Sequence, residues 1–296
     1  MLRQDGIDDL IEHIERCGNH RVLRRLAVPA GRTGVPYHGG DTMIGLVLDV
    51  ETTGKDTSCD LIIELALRRF RYDRSGRILK VDTPWSWRED PGKPLEPEIV
   101  RLTGITDIDL IGQRIDEDEA VRLLRSAHLV IAHNAAFDRK FIERRLPAAA
   151  GMAWGCSCVE VDWSAAGFDG RALGWLLAQA GWFFDGHRAL NDVDAVIALL
   201  WQVLPEGKTA LAELVDSANC PSVRVEAIGA SFAVKDALRL RGYRWDPVAR
   251  CWWCEVQAKD LPAEESWLAQ HVYGPCCGGS ALAPRLTELT ARERYR

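Results

Sequence analysis

The sequence predicts an α/β domain built on a mixed sheet, preceded by a helical extension and followed by a small α+β unit. Three observations carry this expectation. Met43-Ile-Gly-Leu-Val-Leu-Asp-Val is a continuous apolar run of the kind found in a buried strand. Three strand-like stretches come before the main helical ones, and helices and strands then alternate to about residue 204. Pro205 and Gly207 then interrupt the pattern.

Taken in order, residues 1–28 place Ile7, Leu10, Ile11 and Ile14 at helical spacing. Residues 29–41 hold too many Gly and Pro for regular structure and read as a linker, so 1–41 is a helical extension with its connection. The main domain, 42–205, opens on the strand at 43–50. Further strands are expected near 61–72 and 77–87, and helices near 96–103 and 116–126. A short strand at 128–134, a helix at 137–145 and a strand near 154–162 follow, with helices at 171–180 and 189–203 closing the block. Residues 206–296 form the small α+β unit. Val223, Val225 and Ala227 alternate as in a strand, Ser231 caps a helix bearing Val234, Ala237 and Leu238 that ends at Gly242, and a hairpin turns at Pro247. The tail from Tyr273 is rich in Gly, Cys and Ala, and its charged end reads as helical.

The bulk composition narrows the class of protein. At 296 residues and 47% apolar content the chain can bury one sizeable core and a smaller one. It has no run of about eighteen apolar residues, so no membrane span is expected. The first residues are polar and acidic, so no secretory leader is expected. Nine cysteines, an odd number without a framework, fit free thiols in a reducing, cytoplasmic setting. A formal charge of −6 argues against a protein that coats nucleic acid by neutralising phosphates.

The chemistry sits in three places. Asp49 and Glu51 lie two apart at the end of the first strand, which puts both carboxylates on one face, a suitable arrangement for a hard cation such as Mg²⁺. Thr52-Thr53-Gly54 forms a tight exit from that strand. Asp138 stands at the start of a helix just after the strand at 128–134. His187 and Asp192, five apart, diverge by about 140° on a continuous helix, so they converge only if His187 lies on the loop entering it. Imidazole titrates near neutrality and suits a general base. Each piece alone has an ordinary explanation: a surface acid pair, a first-turn Asp favoured by the helix dipole, a capping histidine.

Together, Leu48-Asp-Val-Glu-Thr-Thr-Gly, His133-Asn-Ala-Ala-Phe-Asp and His187-Arg-Ala-Leu-Asn-Asp resemble the three motifs of the DEDDh exonucleases, the DnaQ-like group that includes the proofreading epsilon subunit of bacterial replicative polymerase. Glu98-Ile-Val-Arg-Leu-Thr-Gly-Ile-Thr-Asp is similar to the stretch such proteins carry between the first two motifs. The likeness covers about 42–204 and keeps all five catalytic positions. It implies an RNase H-like fold with a five-stranded mixed sheet and hydrolysis from the 3′ end of a nucleic acid. By it, Asp49, Glu51 and Asp192 hold one Mg²⁺ or Mn²⁺, Asp49 holds a second with Asp138 oriented toward it, and His187 activates the attacking water. Two cations about 3.5–4 Å apart would stabilise both the incoming hydroxide and the leaving alkoxide. It also implies substrate contacts at Thr52, Thr53, Leu102, Ile105 and Phe137, while His133 and Asn134 tie down the strand end. DNA is favoured over RNA, in proofreading, repair or end trimming. A binding protein on a retained nuclease scaffold is the competing reading, and the intact set of five favours the enzyme.

Two other signals are weighed and mostly set aside. Cys251 and Cys254, followed by Cys276 and Cys277, invite a zinc site, yet the first pair lies in a strand-like run that points the thiols to opposite faces. Cys156 and Cys158 read as small packing residues. Within 221–256, Tyr243, Trp245, Trp252 and Trp253 lie among Lys235, Arg239, Arg241 and Arg244. That mixture could make an accessory nucleic-acid or protein contact, although a unit this small needs aromatic side chains for its own core.

Overall fold

The computed structural model describes residues 4–37, 39–274 and 283–296. The chain divides into two compact units, Met1–Val215 with Tyr295–Arg296, and Asp216–Arg294. The sequence places the boundary earlier, at 205. Pro205 and Gly207 instead make a local turn closed by a bridge between Val203 and Thr209.

In the first unit, α1 (Gln4–Glu15) is shorter than the helix expected over 1–28. The segment after it contains β1 (Arg24–Arg25) and β2 (Gly31–Arg32). The Pro- and Gly-rich stretch is therefore more than a connection. Two residues are few enough to escape its Pro and Gly breaks, and β2 pairs with a strand some fifty residues on, Gly31 opposite Val81. The centre is β3 (Thr42–Thr52), antiparallel to β4 (Ile62–Asp73) along almost its whole length. Gly45 is required there, because a Cβ would overlap the ring of Phe70 lying across it. The single strand expected over 77–87 is two, β5 (Ile78–Val81) and β6 (Trp85–Arg88), interrupted at Pro84 and paired with different parts of β4.

Helices α2 (Pro97–Thr103), α3 (Asp107–Leu110) and α4 (Glu117–Arg125) come next. The chain then forms β7 (Leu129–Ala132), parallel to β3, and α5 (Ala135–Arg145). After β8 (Trp154–Cys156), parallel to β7, come α6 (Leu173–Gln179), β9 (Trp182–Phe183), α7 (Ala189–Leu200) and α8 (Ala210–Asn219). The sequence pattern predicts none of α3, β9 and α8. The sheet runs β2-β5-β4-β3-β7-β8, with β6 also on β4. The run β5-β4-β3-β7-β8 is the expected five-stranded mixed sheet, and β2 on β5 and β6 on β4 add two short pieces.

Leu46, Leu48 and Val50 of β3 pack on one face with Leu123, Leu124, Phe141 and Ile142 of α4 and α5. Truncating such a side chain to Ala costs about 2–5 kcal/mol. Alternation sends Val47, Asp49 and Glu51 to the opposite face, where α7 lies against β3 and β4. This one parity decides where the acidic residues go.

The second unit is a four-stranded antiparallel sheet in the order β11-β12-β10-β13. It is built from β10 (Ser222–Ala227), α9 (Lys235–Leu240), β11 (Arg244–Asp246), β12 (Cys251–Gln257), α10 (Leu261–His271) and β13 (Arg285–Leu289). Val223, Val225, Leu238, Tyr243 and Leu268 form its core. The tail expected to be helical supplies β13, because one edge of β10 offers a ladder for it. On β12, Cys254 packs toward the core opposite Val225, whereas Cys251 stands opposite Asp246. Cys276 and Cys277 lie outside the described residues. No helix among the described residues is long and apolar enough to cross a membrane.

Candidate active site

The end of β3 presents Asp49 and Glu51, and the first turn of α7 presents Asp192. One carboxylate oxygen from each lies within 4.8 Å of the others. A set of three converging carboxylates with oxygen donors only is what a hard divalent cation requires, so the residues fit such an ion. Asp138, in the first turn of α5, is 2% exposed and its Oδ1 accepts the Val50 N–H at 3.3 Å. It lies outside the set of three, and this bond holds β3 at the residue between its two acids. Asn134 reaches this geometry by a left-handed turn, φ 90°, between β7 and α5. Beside it, the His133 ring contacts the Ser157 hydroxyl at 3.0 Å and the Arg171 carbonyl at 2.8 Å. That is a structural tie.

Burial and mutual repulsion raise the proton affinity of the whole cluster. Asp49 is held well above the usual carboxylate range by burial first, then by Asp138, Asp192, Glu51 and Glu64. Burial, then the charges of Asp192, Glu64 and Asp138, push Glu51 to about 8. Burial moves Asp138 to about 7 and Asp192 to about 6, each partly opposed by backbone N–H groups. Folded-state values above the unfolded ones mean that the native state binds more protons between about pH 4 and 8, so without a cation stability falls as pH rises through that window. Mg²⁺ should reverse this. Thermal unfolding at pH 6 and pH 8 is expected to show a Mg²⁺-induced rise in midpoint on the order of 5 °C at pH 8 and less at pH 6. An equal response at the two pH values would contradict the assignment.

Glu64 is a residue of the site that sequence reasoning missed. It stands opposite Glu51 in the β3–β4 register and is 2% exposed. Its carboxylate accepts from the Arg188 guanidinium at 3.0 and 3.3 Å and from the Ala189 N–H at 3.0 Å, with Arg88 at 3.7 Å. An anion there satisfies the open N-terminus of α7 and neutralises its dipole. The available signal was a lone carboxylate inside the apolar run Leu61-Ile-Ile-Glu-Leu-Ala-Leu. Two residues past Asp192, Asp194 pairs with buried Arg68 of β4 at 2.5 Å, a second anchor for the same helix.

His187 is exposed, on the loop between β9 and α7, with φ 61°. Asp192 accepts the Arg188 N–H at 3.1 Å, and the charge of His187 favours its ionised form. The loop placement is the one that the five-residue spacing required.

The expected substrate contacts divide. Leu102 is 46% exposed and free to meet a ligand. Ile105 is fully buried with Ile63, Leu95 and Leu110, so its side chain belongs to the core. Gly104, left-handed at φ 68°, ends α2 and turns Ile105 inward. The Thr52 hydroxyl donates to the Gly54 carbonyl at 2.6 Å and the Thr53 hydroxyl to Asp60 at 3.0 Å, so both serve the strand exit. Phe137 is partly buried against Phe141.

In the second unit, Arg224 pairs with Glu226 and Asp246, Arg241 pairs with Glu264, and Lys235 lies over the Phe232 ring. Tyr243 is core, Trp252 is partly so, and Trp253 lies under Arg224 at 4.2 Å. Trp245, another aromatic of the accessory contact expected through 221–256, is 49% exposed.

The exonuclease family model RNase_T matches residues 46–200. The chain is similar to a PolC-type DNA polymerase III of Listeria welshimeri, 31% identical over 195 residues, which cover 59% of this chain and 13% of that polymerase. It thus spans only a small part of the length of the polymerase relatives that it matches. It is also similar to a ribonuclease T of Salmonella choleraesuis, 27% identical over 185 residues, covering 55% of this chain and 85% of that protein. Among solved structures, E. coli exonuclease I in complex with a dA16 oligonucleotide aligns with a TM-score of 0.46 at 17% identity, covering 85% of this chain and 64% of that one.

Proposed function

The chain belongs to the RNase T exonuclease family, and on that premise we propose that it removes nucleotides one at a time from the 3′ end of a nucleic acid, DNA in preference to RNA. The observation that carries the reading is the convergence of Asp49, Glu51 and Asp192 within 4.8 Å, with the charge of His187 acting on Asp192. In this reading Asp49, Glu51 and Asp192 hold Mg²⁺ or Mn²⁺, and Asp138 supports a second ion at Asp49. When bound, the two cations supply charge stabilisation for the attacking and leaving oxygens of the phosphodiester. His187 takes the proton of the attacking water, and its exposed ring lets it approach a substrate phosphate from the solvent side. Glu64 keeps the N-terminus of α7, and so Asp192, in place. The exposed Leu102 side chain and the backbone of Thr52 and Thr53 are the proposed contacts with the terminal nucleotide.

The preference for DNA follows the relative that is a DNA polymerase; the ribonuclease T relative supports the alternative of an exoribonuclease. The test uses 5′-labelled single-stranded DNA, duplex DNA with a recessed or mismatched 3′ end, and single-stranded RNA. A ladder shortening from the 3′ end, dependent on Mg²⁺ or Mn²⁺ and faster on DNA, is the expected result. Immediate release of the labelled 5′ nucleotide or internal cutting would overturn the polarity, and faster loss of RNA would make the protein an exoribonuclease.

A further inference from the structure

The loop carrying His187 is fastened at both ends. On its helix side Glu64 holds Arg188 and the Ala189 N–H. On its other side the loop leaves β9, and among the described residues the ladder partner of β9 is β1, in a two-stranded parallel sheet apart from the main one. The Arg24 N–H donates to the Gly181 carbonyl and the Leu26 N–H to the Phe183 carbonyl, both at 2.9 Å. Arg21 donates to the carbonyl of Gln179. The Arg25 guanidinium lies over the Phe183 ring, 4.9 Å from its centre, and pairs at 2.9 Å with Asp185, which is 160 residues away in sequence and two before His187. The Asp185 carbonyl in turn accepts from the Asn191 side chain of α7 at 2.7 Å.

His187 holds a positive φ, a conformation that a residue with a Cβ keeps only where its surroundings over-determine it. We propose that residues 21–26 are a brace for the catalytic loop, and that Arg25 is a positioning residue acting on His187 through Asp185. This rests on the reading of His187 as general base. The basic groups of the brace each have a partner within the protein, Arg21 the Gln179 carbonyl, Arg24 Asp8 at 2.6 Å and Arg25 Asp185, which favours holding the loop over gripping phosphate.

The test uses the full chain with Arg25→Glu, which sets two carboxylates against each other, and Arg25→Glu/Asp185→Arg, which restores the pair reversed. Because the pair is solvent-exposed but the imidazole must be well placed, Arg25→Glu is expected to lower kcat about three- to tenfold with KM and Mg²⁺ dependence unchanged. The reversed pair should recover most of the loss. Amide exchange across 181–188 should quicken in the single variant and slow again in the double. In a His187→Ala background Arg25→Glu should cost nothing further, since the two then act on one step. Parent kcat in Arg25→Glu despite faster exchange, a loss that persists without His187, no recovery in the reversed pair, or a parallel change in KM or Mg²⁺ dependence would each overturn the brace. If His187→Ala itself turns over at the parent rate, the general-base reading has failed and the brace falls with it. If His187→Ala is impaired and Arg25→Glu is not, the brace alone has failed.

Discussion

Asp49→Ala is expected to abolish metal-dependent degradation, by a factor of about a thousand or more, while leaving the fold intact. Asp49 lies at the centre of the cluster, and every other acid of the site, Asp138, Asp192, Glu51 and Glu64, raises its proton affinity through its charge. Such crowding is tolerable only when a cation or protons compensate it. Removing the central carboxylate would therefore remove the proposed principal ligand and also relieve repulsion. The β3 backbone keeps its ladder to β4, and the apolar side chains at 46, 48 and 50 are untouched. The metal-free variant should consequently unfold at a temperature equal to or above the parent's at pH 8, and it should lose the gain on adding Mg²⁺. A 5′-labelled strand incubated with Mg²⁺ or Mn²⁺ and a thermal melt measure the two halves of this expectation. Degradation at the parent rate would sink the site assignment, whereas loss of the fold would show that Asp49 is structural.

His187→Ala should separate proton transfer from metal binding. The imidazole is exposed on its loop and lies outside the converging set of three carboxylates. Its removal is expected to lower the rate of the chemical step by about 10²–10⁴, the usual worth of a positioned general base, with the Mg²⁺-induced rise in melting temperature retained. Single-turnover degradation at saturating Mg²⁺ reads the first effect, and the melt reads the second. Unchanged turnover would remove the general-base role. Loss of the Mg²⁺ response would instead mean that the loop helps to shape the cation site, through the N–H that Arg188 gives to Asp192.

The parts of this site visible in the sequence are those governed by geometry over a few residues. Strand period two puts Asp49 and Glu51 on one face whatever the strand packs against. The helical turn, equally local, requires His187 to precede the helix that carries Asp192. Asp138 taken alone reads as a first-turn Asp favoured by the helix dipole, and only the resemblance of His133-Asn-Ala-Ala-Phe-Asp to the second motif marks it as part of the site. Strands β3 and β7 were legible for a similar reason, each marked by its own apolar run, while the count of five strands came with the motif resemblance.

What only the tertiary structure decided depends on partners far away along the chain. Ile105 belongs to the core because Ile63 and Leu110 enclose it, and no spacing within its own segment indicates that. Pro84 splits the third strand, and which part of β4 each piece joins is a matter of register. The charged tail becomes β13 because β10 offers an open edge. Glu64 acquires its role from Arg188, 124 residues on, and Arg25 from Asp185, 160 residues on. The sequence by itself determined which chemical groups the protein has and which local element carries each. The tertiary structure decided which groups meet, because long-range pairing is set by the packing of whole elements and leaves no periodic trace in the residues that make it.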